Sequence, residues 1–250
     1  MILFPSNPNF SYTESCQLPY TAYEQDVVSV LDSIVLLFRQ YFENVDSHPL
    51  KVINVFPSDK YPMTVYETAT IFLCVSPLDE DGNPGLFWNQ FIYQFSHELC
   101  HYMNFGHVIQ PMRWFEECLC ELASHFFLIK GAEQWAVFPP YLNWRNYAPN
   151  ILSYEISMRS NTSIVVTTEL SKTNSRLLAS LENDEYQRPQ NKYIALELLP
   201  LFIRKPALWN IVPYLTALSD YKCFAESLLM LGNWSGEDLT KVLNLFGIAR

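Results

Sequence analysis

The chain has 250 residues, of which 49% are hydrophobic and 17% charged, and its formal net charge is −10. This composition excludes a disordered chain, and the length allows a sizeable core in one domain or in two lobes that share a cleft. The 16 lysines and arginines form no run, so the acidic balance argues against nucleic acid as a partner.

Targeting and redox signals are sparse in this sequence. Residues 1–8 lack a basic region and reach proline before an apolar stretch of signal length, and no window has the hydropathy of a membrane span. The six cysteines lack the spacing of a disulfide framework, which predicts reduced thiols. Cys118 and Cys120 would point about 200° apart on a helix, which favours core thiols over a metal pair. We therefore expect a cytoplasmic protein, with a trimmed export signal left open.

The first third of the chain predicts one helix and two strands. Residues 1–20 contain three prolines and predict an irregular arm, and residues 21–41 repeat apolar side chains at helical spacing. Residues 50–56 and 68–76 are short and β-branched, so each predicts a strand. If the second strand lies at a sheet edge, it can bind an extended peptide. The acidic stretch 77–85 predicts a solvated turn rather than a calcium loop.

The stretch from Phe87 to His101 predicts a helix that carries a metal-binding motif. Aromatic side chains recur every four residues along it, which indicates one buried face. His97 and His101 lie one turn apart, so their imidazoles can bind one metal ion, and Glu98 borders the same face. His-Glu-x-x-His is the pattern of zinc peptidases. A helix whose histidines bond to core carbonyls is the alternative.

A second helix is predicted shortly after this motif. Asn, Gly and Pro within 102–113 predict a break, and helical periodicity then runs over 114–130, with Gly131 ending the helix. Glu117 and Glu121 are one turn apart on this helix, on a stripe separate from its apolar face. A catalytic zinc takes three protein ligands and keeps one position for water, so Glu117 is a candidate third ligand.

The remaining sequence is predominantly helical. Residues 131–169 are aromatic and loop-like, with a short strand predicted over 163–168. Helices are predicted over 170–182, 191–204, 206–218, 220–232 and 236–248. The sequence therefore predicts an α+β protein, with an α/β lobe over 1–130 and a mainly helical lobe over 131–250.

Two stretches, Phe95–His101 and Arg113–Ser124, together resemble the gluzincin zinc metallopeptidases. The second helix of that family typically reads Trp-Leu-x-Glu-Gly-x-Ala-x-Tyr. Matching Trp114 and Phe115 to its opening implies that Glu117 is the third zinc ligand, beside the two histidines. The resemblance thus implies a zinc cofactor and hydrolysis of a peptide or protein substrate.

The resemblance covers about residues 68–130 and implies a zincin-like fold, in which a small mixed sheet lies beside the HExxH helix and the glutamate helix. Cys118 stands where the family has glycine, and Cys120 where it has alanine. Glu121 matches an acidic residue that in many such enzymes supports a zinc histidine and fixes its tautomer.

The mechanism that the resemblance implies assigns a role to Glu98. Zinc lowers the pKa of its bound water, and Glu98 accepts that proton and passes it to the leaving amine. Such enzymes usually stabilise the oxyanion with a tyrosine or histidine from the C-terminal lobe. Tyr154, Tyr186 and Tyr193 are the candidates here.

Two alternatives stay open. His107 extends the motif to HExxHxxxxxH, which resembles metzincin peptidases with His107 as third ligand, although Asn104 stands where they have glycine. Asparagine tolerates the left-handed turn that this glycine makes. The other alternative is a catalytically silent zincin-fold protein with a binding or regulatory role. Glu98 favours the enzyme, because a structural metal site needs no general base.

Overall fold

The computed structural model describes residues 10–14, 22–42, 50–55, 61–76, 87–172, 174–220 and 223–248. Over these residues the chain folds into one four-stranded sheet and a larger set of helices. The predicted α+β class is confirmed, with a small sheet that contains both parallel and antiparallel pairs.

The sheet has the strand order β1-β2-β4-β3. Its strands are β1 (Phe10–Glu14), β2 (Leu50–Asn54), β3 (Met63–Val65) and β4 (Thr70–Leu73). β1, β2 and β4 run parallel, and β3 is antiparallel to β4. The predicted strands at 50–56 and 68–76 are confirmed by β2 and β4.

One prediction about this region is wrong, and the condition attached to another is not met. The irregular arm predicted over 1–20 is wrong for residues 10–14, which form β1. This strand pairs with β2, and Phe10 lies opposite Leu50. The β4 strand is not an edge, because β2 pairs with one side of it and β3 with the other. Pairing between strands decides both outcomes, and local composition does not report it. The predicted acidic turn at 77–85 lies outside the described residues.

The helices account for most of the described chain. They are α1 (Ala22–Phe38), α2 (Trp88–Tyr102), α3 (Arg113–Val137), α4 (Ala148–Met158), α5 (Arg176–Asn183), α6 (Arg188–Arg204), α7 (Phe224–Ser235) and α8 (Thr240–Leu245). Residues Pro206–Ala217 form a long 3-10 helix. None of these described helices combines the length and apolar character needed to cross a membrane.

The predictions for residues 131–169 are the least accurate. The α4 helix lies in the stretch predicted as loop, and the strand predicted over 163–168 is wrong because a 3-10 helix begins at Thr167. Ile164 and Val166 are 83% and 60% exposed. These β-branched residues therefore lack the half-buried sheet surface on which their strand preference depends.

The chain divides into two compact units, each built from two segments. The first comprises Met1–Tyr102 and Phe127–Ser157, and the second comprises Met103–Phe126 and Met158–Arg250. The α3 helix contributes residues to both. Separate lobes over 1–130 and 131–250 stay a prediction.

Aromatic packing forms the core of each unit. In the first, the rings of Phe38 and Phe127 stack at 3.8 Å, and Trp135 Nε1 donates a hydrogen bond to Ser33 Oγ at 3.2 Å. In the second, Trp209 is fully buried, and its ring centroid lies 4.7 Å from that of Phe202. The first unit also contains the sheet and α2, whose contacts with α1, β3 and β4 determine which face of α2 is buried.

The prediction that Gly131 ends the second motif helix is wrong, because α3 continues to Val137. A glycine weakens a helix without terminating it when the following residues bury apolar side chains. Ala132 and Trp135 do so here. A Cβ at Gly131 would lie 3.7 Å from Ile34 Cδ1, an ordinary van der Waals distance.

We expect Gly131→Ala to raise the free energy of unfolding by about 1 kcal/mol, because alanine loses less backbone entropy in a helix. Denaturant unfolding monitored by circular dichroism measures the change. Gly247→Ala is the matched control and should destabilise, since Gly247 has a φ of +71° and its Cβ would lie 3.1 Å from Thr168 Cβ. Equal effects of the two substitutions would contradict this prediction.

Candidate metal and hydrolytic site

The α2 helix presents the two motif histidines together. The ring centroids of His97 and His101 lie 5.1 Å apart, with the ring planes inclined by 61°. Both residues are half-buried, whereas Phe91, Phe95 and Leu99 on the same helix are fully or almost fully buried. Burial of that apolar stripe directs the histidines to one side, as the spacing predicts.

Glu98 lies between the histidines in sequence and is only 5% exposed. Thr64 Oγ1, from strand β3, lies 2.8 Å from the Glu98 carbonyl oxygen and 2.9 Å from Glu98 Oε2. A threonine hydroxyl has one proton to donate, so the carbonyl and the carboxylate share this donor. Strand β3 therefore holds the Glu98 carboxylate towards the sheet.

A second contact joins the same part of the first unit to α2. Tyr66 Oη donates a hydrogen bond of 3.0 Å to the carbonyl oxygen of His101. Tyr66 begins a short 3-10 turn that ends at Ala69, whose φ of 47° is left-handed. The segment from Thr64 to Ala69 thus contacts two of the three motif residues. Sequence reasoning missed Thr64 and Tyr66, because a strand of three residues gives almost no periodic signal.

His97, His101 and Cys120 each offer one ligand atom, and these three atoms lie within 4.8 Å of one another. Cys120 is fully buried and the histidines are half-buried. This group can hold a metal ion. The structure does not identify the metal.

The chemistry of this group fits zinc. Two imidazole nitrogens and one thiolate are among the commonest zinc ligands, and three protein ligands leave one position for water or substrate.

The two third ligands predicted from the sequence are not members of this group. Glu117 is half-buried on α3, one turn before Cys120 and therefore on the same helix face. Its role as a zinc ligand stays a prediction. His107 is exposed in the irregular segment after α2. The left-handed turn expected at Asn104 in the metzincin alternative lies instead at Phe105, with a φ of 56°.

Cys120 is a further residue whose position the sequence did not predict, because its direction on the helix, about 200° from that of Cys118, favours a core thiol. The Cys118 thiol donates to Asn191 Oδ1 over 3.7 Å, and Cys118 is fully buried. Burial raises the pKa of Cys118 well above its usual value, and the negative charges of Glu117 and Glu121 add to the effect. The available signal was the position of Cys120 one turn after the predicted ligand Glu117.

Glu121 lies in a cluster of charged and polar side chains within the second unit. Its Oε1 lies 3.5 Å from Nε2 of the fully buried His125 and 3.9 Å from Nζ of Lys192. The carboxylate therefore lies beside an imidazole nitrogen and a lysine ammonium. Support of a zinc histidine by Glu121 stays a prediction.

The three candidate tyrosines have different surroundings. The ring of Tyr154 on α4 lies 6.2 Å from that of Tyr93 in an edge-on arrangement, and Tyr93 is one turn before His97 on α2. Tyr154 therefore packs beside the histidine-bearing face of α2. Tyr186 is 64% exposed, and the negative charge of Glu197 is the main cause that raises the pKa of Tyr193.

Comparison of the chain with protein-family models, with curated proteins and with solved structures gives no match. The resemblance to gluzincins accordingly rests on the residues of α2 and α3 quoted above.

We expect Thr64→Val to lower the free energy of unfolding by about 1–2 kcal/mol, because it removes a hydrogen bond to a buried carboxylate. Thr64→Ser retains the hydroxyl and should recover most of this loss. Thr68→Val makes the same chemical change at an exposed position and should have an effect within about 0.5 kcal/mol. Denaturant titrations of the three variants test the contact, and equal losses in Thr64→Val and Thr68→Val would contradict it.

Proposed function

We propose that this protein is a zinc-dependent metallopeptidase of the gluzincin type, which hydrolyses peptide bonds. The observation that carries the proposal is the grouping of His97 and His101 on one face of α2, with Glu98 between them in sequence. A site that held metal only for structural reasons would need no carboxylate at this position.

The sheet supports a zincin-like arrangement. The antiparallel strand β3 lies at one end of the strand order and contacts α2. In the described structure only one side of β3 pairs with another strand. An extended peptide can add to its other side through main-chain hydrogen bonds, which provides affinity with little dependence on side chains. We propose β3, rather than β4, as the strand that binds substrate.

Zinc supplies a Lewis acid that polarises a carbonyl group and makes water more acidic. Glu98 is the residue that accepts the proton of the attacking water and delivers it to the leaving amine. The Thr64 hydroxyl lies 2.9 Å from Oε2 of Glu98 and helps to orient the carboxylate. Burial of Glu98 restricts its rotamers and so favours a constant direction of transfer.

Tyr154 is the best supported of the three tyrosines as the donor that stabilises the oxyanion. Its packing against Tyr93 places it beside the face of α2 that carries His97. A phenolic hydroxyl is a suitable neutral donor for a developing alkoxide, and removing one such donor typically costs about 10²–10³ in kcat.

A reducing compartment suits this site. None of the described cysteines forms a disulfide, and the buried Cys120 thiol belongs to the metal-binding group. We propose a cytoplasmic location on this ground.

Zinc content and peptide cleavage, measured on the same preparations, test the proposed activity. Glu98→Gln should retain zinc and lose cleavage of a mixed peptide library by at least about 10²-fold, because only the base is removed. His97→Ala should lose both zinc and cleavage. Glu117→Ala, measured beside them, reports whether the resemblance assigns the third ligand correctly.

Two results would contradict the proposal. Cleavage by Glu98→Gln at the rate of the unmodified protein would exclude Glu98 as the base. A zinc-loaded protein that cleaves no member of a broad library would favour the catalytically silent binding protein instead.

A further inference from the structure

We infer that Thr64 is a positioning residue for the reaction, because its hydroxyl holds the Glu98 carboxylate from the strand proposed for substrate binding. The inference rests on the proposed function and deepens it, since it makes one element, β3, responsible for the position of both the base and the peptide. Thr64 acts through Glu98, so its contribution is to the orientation of the base and not to the chemistry itself.

The contact of Thr64 with Glu98 is the first argument. Thr64 Oγ1 lies 2.8 Å from the Glu98 carbonyl oxygen and 2.9 Å from Glu98 Oε2. Because both oxygens belong to one residue, the hydroxyl ties the end of the Glu98 side chain to its own backbone and so restricts its torsion angles. Glu98 is 5% exposed, so solvent does not readily replace this contact.

The register of β3 is the second argument. Thr64 lies opposite Ile71 in the antiparallel pair of β3 and β4, and residues directly opposite each other point to the same face of a sheet. Ile71 is fully buried, and α2 contacts both strands. Met63 and Val65 point to the other face, and Met63 is 42% exposed. Thr64 is therefore the residue of β3 whose side chain faces α2.

Cys74, which directly follows β4, gives an independent sign that the Glu98 carboxylate lies towards the sheet. The backbone N–H of Cys74 donates a hydrogen bond of 2.9 Å to Oε1 of Gln94, one turn before Glu98 on α2. Burial raises the pKa of the Cys74 thiol above its usual value, and the negative charge of Glu98 adds to the effect. The charge of Glu98 is thus felt at the sheet, as the contact with Thr64 requires.

The free side of β3 connects this contact to substrate binding. In the described structure β3 pairs with another strand on one side only, and the N–H and C=O groups of alternate residues point to the other side. A peptide added there binds the main chain of β3, while the Thr64 side chain stays on Glu98. The same strand then fixes the peptide and the base relative to each other, and an error of about 1 Å in such an arrangement can cost about 10² in rate.

Steady-state kinetics with the most rapidly cleaved member of a mixed peptide library tests the role of Thr64. Thr64→Val keeps the size and the branched shape of the side chain and removes the hydroxyl, so kcat should fall by about 10–10²-fold. KM should change little, because the main chain of β3 is unaltered. Thr64→Ser should restore most of kcat. Thr68→Val makes the same chemical change at an exposed position and should leave both constants unchanged, and zinc content should be equal in all preparations.

A double-mutant cycle on the metal-free protein tests the contact without any measurement of activity. The shift in denaturant midpoint caused by Thr64→Val should be at most about half as large in a Glu98→Ala background, because the carboxylate is then absent. Equal shifts in both backgrounds would show that the hydroxyl serves the carbonyl oxygen alone and would overturn the inference. If Glu98→Ala does not fold, as judged by circular dichroism, the kinetic comparison of Thr64→Val with Thr64→Ser decides.

The outcomes separate this inference from the proposed function. A lower kcat at unchanged KM that serine restores supports Thr64 as a positioning residue. Unchanged kinetics in Thr64→Val, or a rise in KM alone, overturns this role and leaves the peptidase proposal standing. An unmodified, zinc-loaded protein that cleaves no peptide overturns both.

Discussion

Burial of one face of α2 is the constraint on which the site depends. Phe91, Phe95 and Leu99 are held in the core of the first unit, and the helix cannot rotate about its axis without exposing them. At 3.6 residues per turn, this fixes the direction of His97 and His101 and the position of Glu98 beside them. The side of α2 on which the histidines lie is therefore a consequence of its apolar side.

Hydrogen bonds to buried polar groups of α2 also fix the position of this helix. Removing the Glu98 carboxylate from water is unfavourable unless it is hydrogen-bonded, and Thr64 provides one such bond. Tyr66 binds the carbonyl oxygen of His101. The two residues come from one short segment, Thr64–Ala69, so the orientation of the Glu98 carboxylate and the geometry of the last turn of α2 depend on the same part of the sheet.

Much of the local structure could be predicted from the sequence, and the reasons for the failures are physical. The helix that carries the motif was predictable because apolar side chains repeat along it, and β2 and β4 were predictable from β-branched content. β1 was not, because its partner β2 is distant in sequence. β3 was not, because a strand of three residues gives almost no periodic signal. The helix end predicted at Gly131 was wrong because burial of later residues outweighs the weak helix preference of one glycine.

The candidate site was likewise predictable only in part from the sequence. The spacing of His97 and His101 predicted their convergence, since residues four apart on a helix share a face. Cys120 was predicted only as a core thiol, because its side chain points about 200° away from that of Cys118 on a helix. Thr64 was missed because a strand of three residues gives almost no periodic signal. Sequence spacing predicts which residues of one helix share a face, whereas the contacts between elements become known only from the fold.

Ala69 restricts the backbone conformation of the segment Thr64–Ala69 beside the site. A non-glycine residue at a φ of 47° costs about 1–2 kcal/mol relative to an ordinary conformation. Glycine would adopt this conformation without that cost, but it would also allow many others. Alanine leaves the turn few alternatives once Thr64 and Tyr66 have bound α2, so the strand that we propose for substrate binding is ordered before a substrate arrives. The entropy lost on binding a peptide is then mainly that of the peptide.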